Sequence, residues 1–149
     1  NIMKANEKIL YTPEALVYHH RRNLFFGHFK QLKGYAWHRG YFVKKFGGNS
    51  FELSYFIPSI FLLWTVFLPI ALIFNFQIFI NNLIPFLSEN MITFLLLAPH
   101  ILYFICLIGS WISSFSLIKG FCKIVGIFLS HLVYGFFFIK GFLIGLIRD

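Results

Sequence analysis

The sequence has 149 residues, of which 58% are hydrophobic, 21% aromatic and only 12% charged. Ordinary soluble domains carry about 25% charged residues, so this composition excludes that class and indicates a membrane protein. The net charge is +8, and nine of the thirteen lysines and arginines lie in residues 1–45, ahead of the long apolar runs. The basic charge therefore belongs to a polar head.

In the first part of the head, residues 1–22, the stretch 8–18 predicts two short extended pieces around one turn. Pro13 biases Thr12 away from the helical region, so Thr12-Pro13-Glu14 predicts a turn between two extended pieces. The first residue is Asn1 and no signal-peptide pattern follows it, so we expect the sequence to be a fragment of a longer protein. About fifty head residues are also too few to bury a sizeable soluble core.

The second part of the head, residues 23–50, predicts an amphipathic helix at the membrane interface. Aromatic and aliphatic side chains such as Phe25, Phe29 and Leu32 recur at near-helical spacing, and basic residues occupy much of the rest. A helix of this kind lies in the headgroup layer, with its apolar face toward the hydrocarbon. The Gly47-Gly48-Asn49-Ser50 stretch predicts where it ends.

The remainder, residues 51–149, is predicted to be a transmembrane region. Spans are expected at about residues 53–79, 91–111 and 124–147, because each run reaches the roughly 20 apolar residues that a crossing needs. Lys140 interrupts the third run. That segment either crosses the bilayer or lies partly in the interface with the Lys140 side chain snorkelling to water.

The distribution of basic residues predicts the orientation. The loop at residues 81–90 has no lysine or arginine, whereas the connector before the third span carries Lys119 and Lys123. By the positive-inside rule, the head and this connector are expected to be cytoplasmic.

Four residues within the spans predict contacts between helices. His100 and His131 have no acidic partner in their runs, so a hydrogen bond to a neighbouring helix is the expected role of each. Gly141 and Gly145 stand four residues apart, a spacing that permits close approach of another helix.

No single stretch of the sequence is sufficient for catalysis. It has no HExxH, no Walker loop, no GxSxG and no pair of carboxylates at a useful spacing. The arginines and histidines of the head instead suit the binding of anions or a metal, since an arginine fork grips phosphate bidentately.

Three elements of the sequence carry a family resemblance. A Y-x-P-x-A-x-V-x-H-x-x-R pattern is formed by Tyr11, Pro13, Ala15, Val17, His19 and Arg22. A Q-x-x-x-Y-G-x-x-R type element follows, formed by Gln31, Tyr35 and Arg39, with Ala36 in place of its glycine. A closing Y-G-x-x-x-x-x-G element comes last and is formed by Tyr134, Gly135 and Gly141. Together with the paired spans, this order resembles the C-terminal third of membrane-bound family 2 glycosyltransferases, in which a GT-A catalytic domain precedes membrane helices.

The resemblance implies a mainly α-helical membrane fold with a short remnant of a GT-A α/β domain at residues 1–22. It implies that His19 completes the metal site or contacts the donor diphosphate, and that Arg22 meets the donor diphosphate or the acceptor phosphate. Gln31, Tyr35 and Arg39 would border the acceptor. The divalent metal, Mg²⁺ or Mn²⁺, would be bound mainly by residues upstream of Asn1, where the acidic catalytic base would also lie.

The implied activity is transfer of a sugar from a nucleotide-sugar donor to a lipid-linked acceptor or a cell-envelope polysaccharide. The partners would be that donor, that acceptor and membrane lipids, and this fragment alone would be inactive. Nucleic acid is not expected, because the basic cluster abuts a span and would meet headgroups first. The alternative is a small non-enzymatic membrane anchor or a flippase-like accessory protein, in which the head only sets orientation.

Overall fold

The computed structural model describes residues 12–14, 16–18, 25–114 and 116–147. These residues form five α-helices and two short 3₁₀ helices: α1 (Phe26–Phe46), 3₁₀ helices Gly48–Ser50 and Leu53–Phe56, α2 (Ile57–Ile73), α3 (Phe76–Leu83), α4 (Glu89–Ile112) and α5 (Leu117–Ile147). Three stretches, Leu53–Ile73, Glu89–Ile112 and Leu117–Gly145, are long and apolar enough to cross a bilayer. The predicted helical membrane architecture is therefore confirmed, and the protein is an integral membrane protein.

The expected α/β remnant is not seen in the part of residues 1–22 that the structure describes. Pro13 and Glu14 form a turn, and the Leu16 N–H donates to the Glu14 carbonyl at 3.0 Å. Residues 16–18 are exposed and form no strand. The other residues of the predicted remnant lie outside the described residues.

Helix α1 lies inside the predicted range 23–50 and ends at a glycine. Gly47 has a φ of 50°, which terminates the helix because this left-handed conformation suits glycine. The basic Lys44 and Lys45 occupy the last turn, where they complement the negative end of the helix dipole.

One face of α1 consists of small residues that pack against α5. Ala36, Gly40 and Val43 recur at spacings of four and three residues and are buried. A Cβ atom on Gly40 would overlap the backbone of Phe138, and one on Gly141 would overlap the backbone of Trp37. The two helix backbones therefore touch, as the Gly141 and Gly145 spacing predicted.

Helices α1 and α5 run in the same direction along this contact. His28, near the start of α1, meets Ser130, whereas Lys44, near its end, meets Gly145. The small-residue face of α1 is thus covered by α5.

The first span differs from its predicted extent. Pro58 stands in the first turn of α2, where its missing N–H costs no hydrogen bond, and Pro69 lies inside the helix. The helix ends at Ile73 instead of continuing to residue 79, because Asn75 adopts a left-handed φ of 50°. Asparagine tolerates this conformation better than most side chains, and α3 starts anew after it.

The turn between α4 and α5 is shorter than the sequence indicated. Helix α5 starts at Leu117, seven residues before the predicted start at residue 124. Gly120 lies against the indole of Trp111, and the Lys123 Nζ donates to the Ser110 carbonyl at 2.9 Å. These contacts allow the basic connector to continue as helix.

Polar side chains connect the spans in the way that the sequence predicted. His100 Nε2 on α4 is 3.1 Å from Thr65 Oγ1 on α2, and His131 Nδ1 on α5 is 3.1 Å from the Tyr103 hydroxyl on α4. The Phe61 ring fills the space between them, with its centroid 4.4 Å from that of Tyr103. Both histidines therefore have the expected interhelical role.

The backbone contact between α1 and α5 predicts a sharp effect of one added methyl group. Gly141→Ala should lower the stability of the folded protein by about 1–3 kcal/mol, because its Cβ would force α1 away. Gly126→Ala is the matched control on the same helix, since a Cβ there meets nothing within 4 Å. Thermal unfolding in detergent measures both variants, and equal melting temperatures would contradict the contact.

Candidate functional site

Gln31, Tyr35 and Arg39 lie on one face of α1. They follow one another at four-residue intervals, slightly more than one helical turn, so their side chains form a stripe along the helix. Gln31 and Tyr35 are exposed, and Arg39 is half-buried. The stripe leads from solvent to the junction of α1 with the first span and α5.

Arg39 occupies the centre of this junction. Its guanidinium carbon is 4.0 Å from the centroid of the Tyr55 ring and 5.5 Å from that of Tyr35. Its charge also lies close enough to the side chain of Tyr134 on α5 to interact with it electrostatically. Cation–π contact of this kind attracts the guanidinium to the ring faces. One side chain thereby connects α1, the 3₁₀ helix that precedes α2, and α5.

A carboxylate lies near the ring beneath Arg39. Glu52 accepts a hydrogen bond from Ser54 Oγ at 3.3 Å and interacts electrostatically with the Tyr55 hydroxyl. The described residues contain no ion pair between Arg39 and Glu52, so the ring, and not a salt bridge, holds the guanidinium. A guanidinium stacked on a ring keeps its N–H donors in its own plane, where they remain able to meet an anion.

A surface cavity of about 600 Å³ opens beside Arg39. Among the residues that the structure describes, its lining consists of Gly34, Tyr35, His38, Arg39 and Phe42, all on α1. The lining combines one permanent cation, Arg39, with aromatic rings, and Gly34 adds no side chain to it. Such an arrangement suits a ligand with a phosphate or carboxylate and a flat or apolar portion.

The structure brings together two of the predicted site residues, Tyr35 and Arg39. Gln31 lies one turn away on the same stripe but does not line the cavity. Arg22 and His19 lie outside the described residues, so their predicted roles stay predictions. Within the described ranges, no group of three or more His, Cys, Asp or Glu side chains is placed to hold a metal ion. The divalent metal that the resemblance implies would be bound mainly by residues upstream of Asn1, so that expectation stays a prediction.

The closing Y-G element contributes contacts that its pattern did not reveal. Tyr134 meets Arg39, a Cβ on Gly135 would overlap the Pro58 carbonyl, and Gly141 meets α1. Each motif residue is thus a point where α5 touches another element. Tyr55 had no sequence signal, because its partner Arg39 lies on a different helix.

The contact between Arg39 and Tyr55 predicts a measurable coupling. Tyr55→Leu removes the ring and should cost about 0.5–2 kcal/mol of stability in a protein with Arg39, but little in the Arg39→Gln background. Tyr55→Phe is the control, because it keeps the ring and loses only the hydroxyl. A double-mutant cycle on thermal unfolding gives the coupling energy, and purely additive effects would show that the ring does not hold Arg39.

Comparison of this chain with protein-family models, with curated proteins and with solved structures found no match. Its function is therefore argued from the motif residues and from the contacts they make.

Proposed function

We propose that this chain is the membrane part of a glycosyltransferase that resembles the membrane-bound family 2 enzymes. The complete protein would transfer a sugar from a nucleotide-sugar donor to a lipid-linked or polysaccharide acceptor at the membrane surface. Helix α1 would form the acceptor side of the site, and the spans would hold it at a fixed depth. Residues 1–22 would then be the end of the catalytic domain.

The observation that carries the proposal is the meeting of two motif elements. Tyr35 and Arg39 come from the Q-Y-R type element, and Tyr134 comes from the closing Y-G element, nearly a hundred residues later along the chain. They converge beside the cavity on α1, next to the start of the first span. An acceptor anchored in the bilayer must be reached at this level.

Tyr35 and Arg39 would bind and orient the donor or the acceptor. The in-plane N–H donors of Arg39 would bind a phosphate oxygen of the donor or of a lipid-linked acceptor, and would stabilise negative charge as the diphosphate departs. Tyr35 would hold the guanidinium in place and form the wall of the cavity. Paired carboxylates and a metal site are supplied by none of the described residues, so no step of the reaction is assigned to them.

The orientation with the head in the cytoplasm is part of the proposal. It is supported by the proximity of the head to the connector before the third span, the two basic segments that the positive-inside rule assigns to the same side of the membrane. His28 of α1 lies in the same cavity lining as Lys119 and Lys123 of the second connector. Both segments therefore belong to one side of the membrane, and the loop after α3 to the other.

Reading the coding DNA upstream of the Asn1 codon tests the proposal first. We expect an open frame in phase, with acidic pairs after apolar strands, as a GT-A domain requires. A stop codon followed by a start codon close to Asn1 would overturn the enzyme assignment and favour the anchor or accessory protein.

A variant of the complete protein tests the role of the cavity. Arg39→Gln should lower sugar transfer in isolated membranes by about tenfold or more, since a charge-assisted hydrogen bond contributes about 1.5–3 kcal/mol. Lys30→Gln is the control, because Lys30 is an exposed cation of α1 outside the cavity lining. Equal transfer by both variants, at equal protein levels, would remove Arg39 from the site.

A further inference from the structure

A second cavity, separate from the one beside Arg39, lies between the start of α1 and the first half of α5. It has a volume of about 470 Å³. One part of its lining has no polar side chain and consists of Phe29, Leu32, Gly126 and Ile127. The other part is basic or polar and consists of His28, Lys119, Lys123, Ser130 and His131. None of these residues is acidic, so the cavity has a net positive lining.

The two lysines are placed to act on one ligand. Lys119 and Lys123 stand one turn apart on α5 and so project from the same face. The Lys123 ammonium is held by the Ser110 carbonyl at 2.9 Å and by Ser113 Oγ at 3.4 Å. Lys119 is exposed and makes no hydrogen bond or ion pair within the part of the chain that the structure describes. One cation is thus fixed and its neighbour is available.

The polar floor of the cavity is already satisfied by the protein. His28 Nε2 is 3.0 Å from Ser130 Oγ, and Ser130 Oγ donates to the Gly126 carbonyl at 2.7 Å. His131 is held by the Tyr103 hydroxyl. These bonds join α1 to α5 and give the cavity a defined shape. The charge left to be neutralised is that of the lysines.

The cavity lies near the turn between α4 and α5. The lysines flank the turn that joins α4 to α5, two helices long and apolar enough to span. An ammonium at this level meets headgroups, and the apolar side chains of Phe29, Leu32 and Ile127 lie beside it. A molecule that matches both parts carries a phosphate and a hydrocarbon chain.

We propose that this cavity binds the phosphate headgroup of an anionic phospholipid, with the first carbons of its chains against the apolar lining. The lysines would bind the phosphate oxygens by charge-assisted hydrogen bonds. This assignment rests on the cavity itself and does not require glycosyl transfer. The bound lipid would join the start of α1 to the turn between α4 and α5.

Lipid binding by the purified chain in detergent tests the proposal. Native mass spectrometry would measure retention of phosphatidic acid and, separately, of phosphatidylcholine, by the wild type and by K119Q/K123Q. We expect preferential retention of phosphatidic acid by the wild type. The double variant should bind it about tenfold or more weakly, because each lysine near an anionic lipid contributes about 1 kcal/mol.

The matched control is K30Q/K44Q, which removes the same charge from α1 outside the cavity and should change the affinity by less than about twofold. Should K119Q/K123Q fold poorly, K119Q alone gives the same test, because Lys119 holds no other element. K119R/K123R should retain binding. Equal loss in the control pair would show that net charge, and not this cavity, selects the lipid.

Competition with inorganic phosphate distinguishes a phospholipid headgroup from a free phosphate as the ligand of this cavity. At millimolar concentration it should fail to displace phosphatidic acid, since it lacks the hydrocarbon that meets the apolar lining. Displacement by inorganic phosphate at comparable affinity would overturn the lipid assignment in favour of a free phosphate. Failure of the wild type to prefer phosphatidic acid would overturn the site altogether, with no bearing on the proposed transferase activity.

Discussion

The backbone contact between α1 and α5 at Gly40 and Gly141 is the constraint on which the arrangement of the other elements depends. A side chain at either position would occupy the volume of the opposing backbone, so the two helices lie together only because these residues are glycines. Ala36, fully buried between them, extends the contact. A basic helix that the sequence would place among lipid headgroups is thereby attached to a long apolar helix of the membrane region.

Both cavities follow from that attachment. Because α1 and α5 run in the same direction, His28 near the start of α1 meets Ser130, and Arg39, farther along α1, lies near Tyr134. The first cavity has a guanidinium held by aromatic rings, and the second has two ammonium groups beside apolar side chains. Two positions along one helix pair thus offer two different positively charged environments.

Much of the secondary structure could be predicted from the sequence, because hydrophobic runs and glycine pairs are local signals. The helix at 23–50, the existence of three apolar helices and the interhelical bonds of the two histidines all followed from such signals. The break at Asn75 did not, since it depends on the conformation of one residue inside an uninterrupted apolar run. The early start of α5 also escaped prediction, because basic residues in the connector suggested a loop.

The candidate site was predictable only in part. Tyr35 and Arg39 were selected by their spacing, which a helix converts directly into a shared face. Tyr55, the ring against Arg39, was not, because contacts between separate helices depend on how the helices pack. The second cavity was missed for the same reason: Lys119 and Lys123 carried information about orientation, but only the fold places His28 beside them.

Disulfide cross-linking between α1 and α5 tests the central claim most directly. The Cβ of Lys44 lies 3.1 Å from the Cβ position of Gly145, a few tenths of an ångström short of the about 3.5–4.5 Å that joins disulfide Cβ atoms. In a background with Cys106 and Cys122 replaced by serine, K44C/G145C should form an intramolecular disulfide under mild oxidation, detected by peptide mass spectrometry. K30C/G145C should not, because Lys30 lies about four turns earlier on α1. Cross-linking of both pairs, or of neither, would contradict the parallel packing of α1 on α5.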